Sequence, residues 1–183
     1  QLPALVQEGT AIVVSPLIAL MKNQVDVLRG LSTEYGIAHV LNSSLNKGEV
    51  NRVMTDIENG ITKLLYVAPE SLTKEEYINF LKKQKISFVA IDEAHCISEW
   101  GYDFRPSYRK LNVLRAHFPQ VPLMALTASA TPAVINDMQT LLGLEHARCV
   151  KDSFERSNIA YKIWNTEDKF NTVVPVSYTH LRA

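Results

Sequence analysis

The sequence predicts an α/β domain built on a mostly parallel sheet with helices on both faces. Short apolar segments alternate with amphipathic segments along the chain, and the apolar ones are almost continuous in hydrophobic residues. Continuous apolar strands are typical of parallel sheets, because helices cover both faces of such sheets. The regular alternation of strand and helix predicts the same class of fold.

Five short strands are expected, each rich in β-branched or other apolar residues and bounded by turn or capping residues. They comprise residues 10–15, 37–41, 63–68, 86–91 and 122–126, with residues 147–150 as a weaker sixth candidate.

The segments between these strands carry helix start and stop signals. Gly30 ends the first long amphipathic stretch. Asn46 and Glu49 have the spacing of a capping box, and Thr73 with Glu76 has the same spacing before the next apolar face.

A last helix is expected to begin at Thr131-Pro132 and to end at Gly143. In a parallel sheet, ligands bind beyond the carboxyl ends of the strands, so residues that directly follow strands should share one edge. These are Ser15 and Pro16, Pro69 and Glu70, Asp92 and Glu93, and Thr127 to Ser129.

Length and composition indicate one globular domain of 183 residues with an ordinary hydrophobic content of 46%. Lys plus Arg and Asp plus Glu both number 19, so no strong overall field would attract nucleic acid. The two cysteines, Cys96 and Cys149, are typical of a reducing compartment and exclude a disulfide framework. No apolar run has the length of a membrane span. We therefore expect a soluble, intracellular protein.

The candidate catalytic residues follow the predicted fourth strand. Asp92 could hold Mg²⁺ on a nucleotide phosphate, and Glu93 could orient the attacking water. A lone Asp-Glu pair more often caps a helix, but here an apolar strand precedes the pair and His95 follows it. His95 could relay between the nucleotide and neighbouring loops, whereas an isolated histidine would more often be a satisfied core residue.

An aromatic segment, defined as residues 98–108, comes next. Trp100, Phe104 and Tyr108 are spaced four apart, which on a helix would form an apolar stripe of the kind found in cores. Gly101, Asp103 and Pro106 favour instead a loop followed by a helix from Pro106. Residues 92–110 contain four acidic and three basic side chains, so any strand contact should depend on stacking.

A phosphate-binding loop of the form GxxxxGK[ST] does not occur in the sequence, since none of the seven glycines is followed by Lys-Ser or Lys-Thr. We expect the 183 residues alone to lack significant ATPase activity for this reason.

Taken together, these residues resemble the first RecA-like domain of RecQ-type DNA helicases, which belong to superfamily 2. Asp92-Glu93-Ala94-His95 resembles the family's Walker B motif, and the aromatic segment resembles its more specific aromatic-rich loop. Three further segments resemble helicase motifs of the family: residues 13–25 resemble motif Ia, residues 66–72 motif Ib and residues 125–131 motif III. Residues 153–159 resemble the segment that leaves the first domain.

The resemblance implies a RecA-like fold and 3′ to 5′ unwinding of DNA, in repair and recombination, with ATP and Mg²⁺. The partners would be single-stranded and partly duplex DNA and a second RecA-like domain, in the cytoplasm or nucleoid of a bacterium or the nucleus of a eukaryote. Residues 1–161 would form a partial first domain, with the phosphate loop expected before Gln1. Residues 162–183 would be a domain exit and an off-pattern tail.

Site residues carried over by the resemblance fall into three groups. The catalytic ones are Asp92 (also the metal ligand), Glu93 and His95; the nucleic-acid contacts are Ser15, Pro16, Pro69, Glu70, Trp100, Phe104, Arg105 and Tyr108; the coupling residues are Thr127 and Ser129.

Two alternatives stay open. One is a related superfamily 2 ATPase that acts on RNA. The other is a non-catalytic piece that only binds nucleic acid.

Overall fold

A computed structural model describes residues 1–153, 158–159, 165 and 167–168. The chain divides into two compact units, Gln1–Ala147 and Arg148–Ala183. All helices and strands of the described residues lie in the first unit. The expected domain boundary near Tyr161 and the off-pattern tail from Phe170 lie outside the described residues, as does most of the motif at residues 153–159.

Five parallel strands form the sheet of the first unit, in the order β2-β3-β1-β4-β5. They are β1 (Thr10–Val14), β2 (Ala38–Leu41), β3 (Leu64–Val67), β4 (Ile86–Ile91) and β5 (Leu123–Ala125). The predicted class is confirmed, and each of the five predicted strands is present. The weaker sixth prediction is wrong, because residues 147–150 form no strand and Val150 is 81% exposed.

Seven helices connect or flank these strands in the described part of the chain. They are α1 (Leu2–Val6), α2 (Ile18–Gly30), α3 (Lys47–Glu58), α4 (Glu75–Leu81), α5 (Pro106–Arg109), α6 (Leu114–His117) and α7 (Pro132–Leu142). Short 3₁₀ turns occur at Tyr35–Ile37, Ser71–Thr73, Ala94–Ile97 and Lys110–Val113.

The two faces of the sheet bury two apolar clusters, since side chains alternate along each strand. Ile12 and Leu65 point to the larger cluster, which α3, α4, α5, α6 and α7 complete. Ala11 and Leu64, their neighbours in sequence, point to the smaller cluster with α1 and α2. Each fully buried Leu or Ile contributes about 1.5–3 kcal/mol to the free energy of unfolding, so this double cover is the main support of the sheet.

The helix ends confirm two of the predicted caps and correct a third. Asn46 and Glu49 form a reciprocal capping box at α3. Thr131 accepts a hydrogen bond from the Val134 amide at α7. The cap predicted at Thr73 and Glu76 is wrong, because the Thr73 hydroxyl donates to the Glu70 carbonyl at 2.8 Å and α4 begins only after Lys74.

The carboxyl ends of the strands are aligned at one edge, as predicted. The backbone ladder continues past β1, β4 and β5 through three bonds: Ser15 N to Val67 O (3.2 Å), Asp92 N to Val14 O (2.8 Å) and Leu126 N to Ile91 O (2.9 Å). The residues after the strands are therefore held in register across the sheet. None of the helices in the described part of the chain is both long and apolar enough to cross a membrane.

Candidate functional site

The carboxylate pair lies where β4 ends. Asp92 is half-buried and its Oδ1 accepts from the Glu93 amide at 3.0 Å. Glu93 has φ 48° and ψ 43°, the left-handed region that costs a non-glycine residue about 1–3 kcal/mol. This backbone reverses the chain at the strand end and starts the 3₁₀ turn Ala94–Ile97. The Glu93 side chain stays 38% exposed, so its carboxylate is open to solvent.

His95 connects this pair to the end of β5. Its Nδ1 lies 2.8 Å from Thr127 Oγ1 and 3.3 Å from Glu93 Oε2. Thr127 Oγ1 also accepts from the Ser129 amide at 3.1 Å. The fold thus brings together the two predicted coupling residues and two of the predicted catalytic residues. Hydrogen bonds join Thr127 to His95 and to Ser129, and the Glu93 carboxylate lies against the same imidazole nitrogen. With 8% of its surface exposed, His95 is both a buried residue and a partner of the polar site.

Asp92 lines a cavity of about 420 Å³ on the α2 side of the sheet. Other residues around it are Ser15, Tyr66, Phe88, Met124 and Leu126. Ser15 is only 2% exposed, and its Oγ has no hydrogen-bond partner among the described residues. A buried hydroxyl without a partner costs about 1–3 kcal/mol, so the cavity presents a polar group that a ligand could satisfy.

The aromatic segment is a loop up to Arg105, followed by α5 from Pro106, which confirms the loop interpretation over the helical stripe. Trp100 is 79% exposed and Tyr102 is fully exposed. Exposed rings of this kind are the surfaces on which bases stack. Phe104 is half-buried.

Arg105 is held by three hydrogen bonds to two residues. Its Nε and Nη2 donate to Asp103 Oδ2 at 3.1 and 2.8 Å, and its Nη1 donates to the Pro16 carbonyl at 3.3 Å. The hydrogen bond from Arg105 holds the pKa of the Asp103 carboxyl below its usual value, and the same bond raises the pKa of Arg105. Both groups are therefore charged at neutral pH.

Tyr108 differs from the other aromatic side chains of the segment. It is 0% exposed, and its hydroxyl donates to the Asp92 carbonyl at 2.9 Å. Burial raises the pKa of this hydroxyl, so it stays a proton donor. The ring has no exposed surface on which a base could stack. The direct nucleic-acid contact predicted for Tyr108 therefore does not fit its buried position.

Cys96 is a core residue. It is fully buried, and burial raises the pKa of its thiol to about 11. A thiol with this pKa is not a nucleophile at neutral pH.

The remaining predicted contacts differ in accessibility. Pro69 is buried and Pro16 is half-buried, whereas Glu70 is exposed at the same edge. Burial leaves Pro69, like Ser15, little side-chain surface for direct contact with a strand.

Two residues with roles in this site were not predicted. Asp103 orients Arg105, and the Asp-x-Arg spacing within a loop is a signal that could have revealed it. Gly101 lies so close to the His95 carbonyl that an added Cβ would be 2.7 Å from its oxygen. Only the folded chain brings these two backbones together, so no local pattern points to Gly101.

Comparison with known proteins agrees with this geometry. The family model described as DEAD/DEAH box helicase matches residues 1–138. "ATP-dependent DNA helicase RecQ" of Bacillus subtilis is 45% identical over 171 residues, which cover 92% of this chain and 28% of the relative. The protein of the same name from Pasteurella multocida is 46% identical over 165 residues, which cover 89% of this chain and 25% of the relative.

Among solved structures, the Pyrococcus furiosus Hef helicase domain aligns with a TM-score of 0.57 at 20% identity, covering 78% of this chain and 29% of that one. At this identity the likeness concerns the fold, and it confirms the expected RecA-like architecture. The chain spans about a quarter of the length of the curated relatives it matches. The resemblance to RecQ-type helicases is confirmed by these identities, and the chain belongs to the DEAD/DEAH box helicase family.

Proposed function

We propose that the protein carrying this chain is an ATP-dependent DNA helicase that couples ATP hydrolysis to 3′ to 5′ movement along single-stranded DNA. One observation carries the proposal: the cluster of Glu93, His95 and Thr127 lies beside a loop that exposes Trp100 and Tyr102. Hydrolytic chemistry and a stacking surface are thus joined within one edge of the sheet. The names of the RecQ relatives support the choice of ATP and DNA.

Glu93 is the residue that orients and polarises the attacking water. Its carboxylate is partly exposed, and His95 limits its freedom from one side. A positioned general base contributes about 10²–10⁴-fold to a rate. Thr127 and Ser129 hold His95 against the end of β5, so a shift of that strand end would move the imidazole.

Mg²⁺ fits the residues at this edge. No group of three or more His, Cys, Asp and Glu side chains that could hold a metal occurs among the described residues. Mg²⁺, however, is usually bound by one or two carboxylates together with water and substrate phosphates. Asp92 supplies one such carboxylate, and the buried Ser15 hydroxyl lines the same cavity. When bound there with ATP, the ion would neutralise phosphate charge.

DNA would contact the exposed rings of the aromatic segment, with Phe104, Arg105, Pro16 and Glu70 along the same edge. A second RecA-like domain and partly duplex DNA are the further partners that this function requires. Such a protein would act on the chromosome, in the nucleoid of a bacterium or the nucleus of a eukaryote, during repair or recombination.

The test is Glu93→Gln in the full-length protein. We expect DNA-stimulated ATP turnover to fall about 10²–10⁴-fold, because the amide cannot accept a proton, while ATP still binds. Glu58→Gln is the matched control, since Glu58 is an exposed glutamate at the end of α3, outside the carboxylate pair and the aromatic segment. If Glu93→Gln keeps the wild-type turnover, Glu93 does not activate the attacking water.

Two measurements on the unchanged protein separate the alternatives. We expect single-stranded DNA to stimulate turnover more strongly than RNA of the same sequence and length. Stronger stimulation by RNA would favour an RNA-dependent ATPase. Nucleic-acid binding without any turnover would favour the non-catalytic interpretation.

A further inference from the structure

The buried tyrosine of the aromatic segment links the exposed rings to the catalytic strand end. Tyr108 lies on α5, the helix that begins directly after the loop. Its ring belongs to the larger apolar cluster, and its hydroxyl donates to the Asp92 carbonyl at 2.9 Å. The backbone amide of Tyr108 donates to the Arg105 carbonyl, also at 2.9 Å. Tyr108 therefore contacts the loop exit with its backbone and the strand end with its side chain.

The carbonyl that Tyr108 holds belongs to the peptide between Asp92 and Glu93. That peptide precedes the one non-glycine residue with positive φ in the described part of the chain. A left-handed backbone at glutamate persists only where its surroundings hold it. The hydrogen bond from Tyr108 is one such constraint, and a rotation of this peptide would re-aim the Glu93 carboxylate.

Two further contacts tie the loop itself to the same strand ends. Arg105 Nη1 donates to the Pro16 carbonyl after β1. Gly101 packs against the His95 carbonyl, and its amide donates to Ser98 O at 3.1 Å. A displacement of the backbone at Trp100, next to Gly101, would therefore shift groups that contact the catalytic edge.

We propose that Tyr108 is a positioning residue that transmits strand binding at the aromatic segment to the Asp92-Glu93 peptide. The inference rests on the proposed function and deepens it. In this proposal Tyr108 does not contact nucleic acid directly. It acts through the hydrogen bond from its hydroxyl to the Asp92 backbone carbonyl. Since coupling between two ligands is reciprocal, the same bond also carries the effect of nucleotide on DNA affinity.

The experiment measures the dissociation constant of single-stranded DNA with and without a non-hydrolysable ATP analogue and Mg²⁺, in the full-length protein. Tyr108→Phe removes the hydroxyl and keeps the ring that fills the core. We expect the ratio of the two dissociation constants to fall from its wild-type value to within twofold of 1. The nucleotide-free dissociation constant should stay within about twofold of wild type, because the exposed rings remain.

Tyr77→Phe is the matched control, because Tyr77 is also a buried tyrosine of the larger cluster but lies on α4. It should keep the wild-type ratio, which separates a lost coupling from a general loss of packing. A wild-type ratio in Tyr108→Phe would overturn the proposal. If the wild-type protein itself binds DNA equally with and without the analogue, the proposed function fails and the coupling fails with it.

Hydrogen exchange in the unchanged protein gives an independent test that does not depend on the variant folding. The Ala94 amide donates to Leu126 O at 2.9 Å, on the far side of Glu93 from Tyr108. We expect DNA alone to slow exchange at Ala94 as well as within residues 98–105. Slowing confined to residues 98–105 would contradict transmission to the catalytic strand end.

Discussion

Gly101 shows how closely the aromatic segment approaches the turn that follows Asp92 and Glu93 at the end of β4. A Cβ at this position would lie 2.7 Å from the His95 oxygen and 3.1 Å from the Ser98 oxygen, both backbone atoms. Backbone atoms cannot move aside as a flexible side chain can. The segment therefore requires glycine at this position for reasons of space.

We expect Gly101→Ala to lower the free energy of unfolding by about 1–3 kcal/mol, the usual cost of overpacking, and to weaken DNA-stimulated turnover. Urea unfolding and an ATPase assay measure the two effects. Gly30→Ala is the control, because an added Cβ at Gly30 meets nothing within 4 Å. Equal effects of the two substitutions would show that the close approach is unimportant.

His39 is a second residue whose state the fold determines. Its Nδ1 lies 3.0 Å from Arg29 Nη2 and its Nε2 lies 2.7 Å from Asp56 Oδ2. A guanidinium can only donate, so Nδ1 accepts and the proton resides on Nε2. The ring is 3% exposed, and burial, with further contributions from Arg29 and Arg52, lowers its pKa despite the opposing effect of Asp56.

The lowered pKa makes stability depend on pH. Below about pH 6.5 the unfolded chain gains a proton at His39 that the folded chain does not yet bind. The contribution of neutral His39 to the free energy of unfolding is therefore complete above pH 6.5. It is lost as the pH falls from there towards the pKa of His39 in the folded state. We expect His39→Gln to flatten this slope in urea unfolding measured between pH 5 and 8. His146→Gln, which changes an exposed histidine, should leave the slope as it is.

At the scale of the element, α3 shows that a local signal can define a helix start. The Glu49 amide donates to Asn46 Oδ1 at 3.0 Å, and the Asn46 amide donates to Glu49 Oε2 at 2.8 Å. Both bonds join residues three apart, so the sequence alone contained everything needed to predict them.

We expect Asn46→Ala to lower the free energy of unfolding by about 0.5–2 kcal/mol, because the Glu49 amide in the first turn loses its partner, Asn46 Oδ1. Thermal or urea unfolding measures this. Asn51→Ala changes an exposed asparagine within the same helix and should be neutral or slightly stabilising, since alanine has the higher helix propensity. A destabilisation as large as that of Asn46→Ala would assign the effect to something other than the cap.

The same local reasoning fails where two signals compete. Thr73 and Glu76 have the spacing of a capping box, but the Thr73 hydroxyl bonds to Glu70 in the preceding 3₁₀ turn. Residues 147–150 have the composition of a strand, yet they take no place in the sheet and remain mostly exposed. A strand forms only where a neighbouring strand can pair with it, and the β-propensity of a short segment does not reveal whether such a neighbour exists.

For the whole molecule, the balance of 19 basic and 19 acidic residues argues that strand contact at this edge depends on stacking. We expect Trp100→Ala to weaken single-stranded DNA binding by about 1–3 kcal/mol per stacked base. The slope of log affinity against log salt should stay unchanged, because the ring neutralises no phosphate. Fluorescence anisotropy at several salt concentrations measures both quantities.

Leu31→Ala is the control for that measurement, because Leu31 is an apolar side chain that is 82% exposed at the end of α2. It should change neither affinity nor slope. A shallower salt slope in Trp100→Ala would mean that the segment contributes phosphate contacts after all.

The sequence by itself determined the α/β class, the five strands, several helix ends and the residues that meet at the carboxyl edge. These follow from hydrophobic period and from bonds between residues three or four apart, which a linear pattern contains. Tertiary structure alone decided that Tyr108 is buried against the Asp92 carbonyl, that His95 contacts Thr127, and that Gly101 packs on the His95 backbone. Those contacts depend on how the chain packs in three dimensions, because no residue pattern records which backbone atoms a side chain will meet.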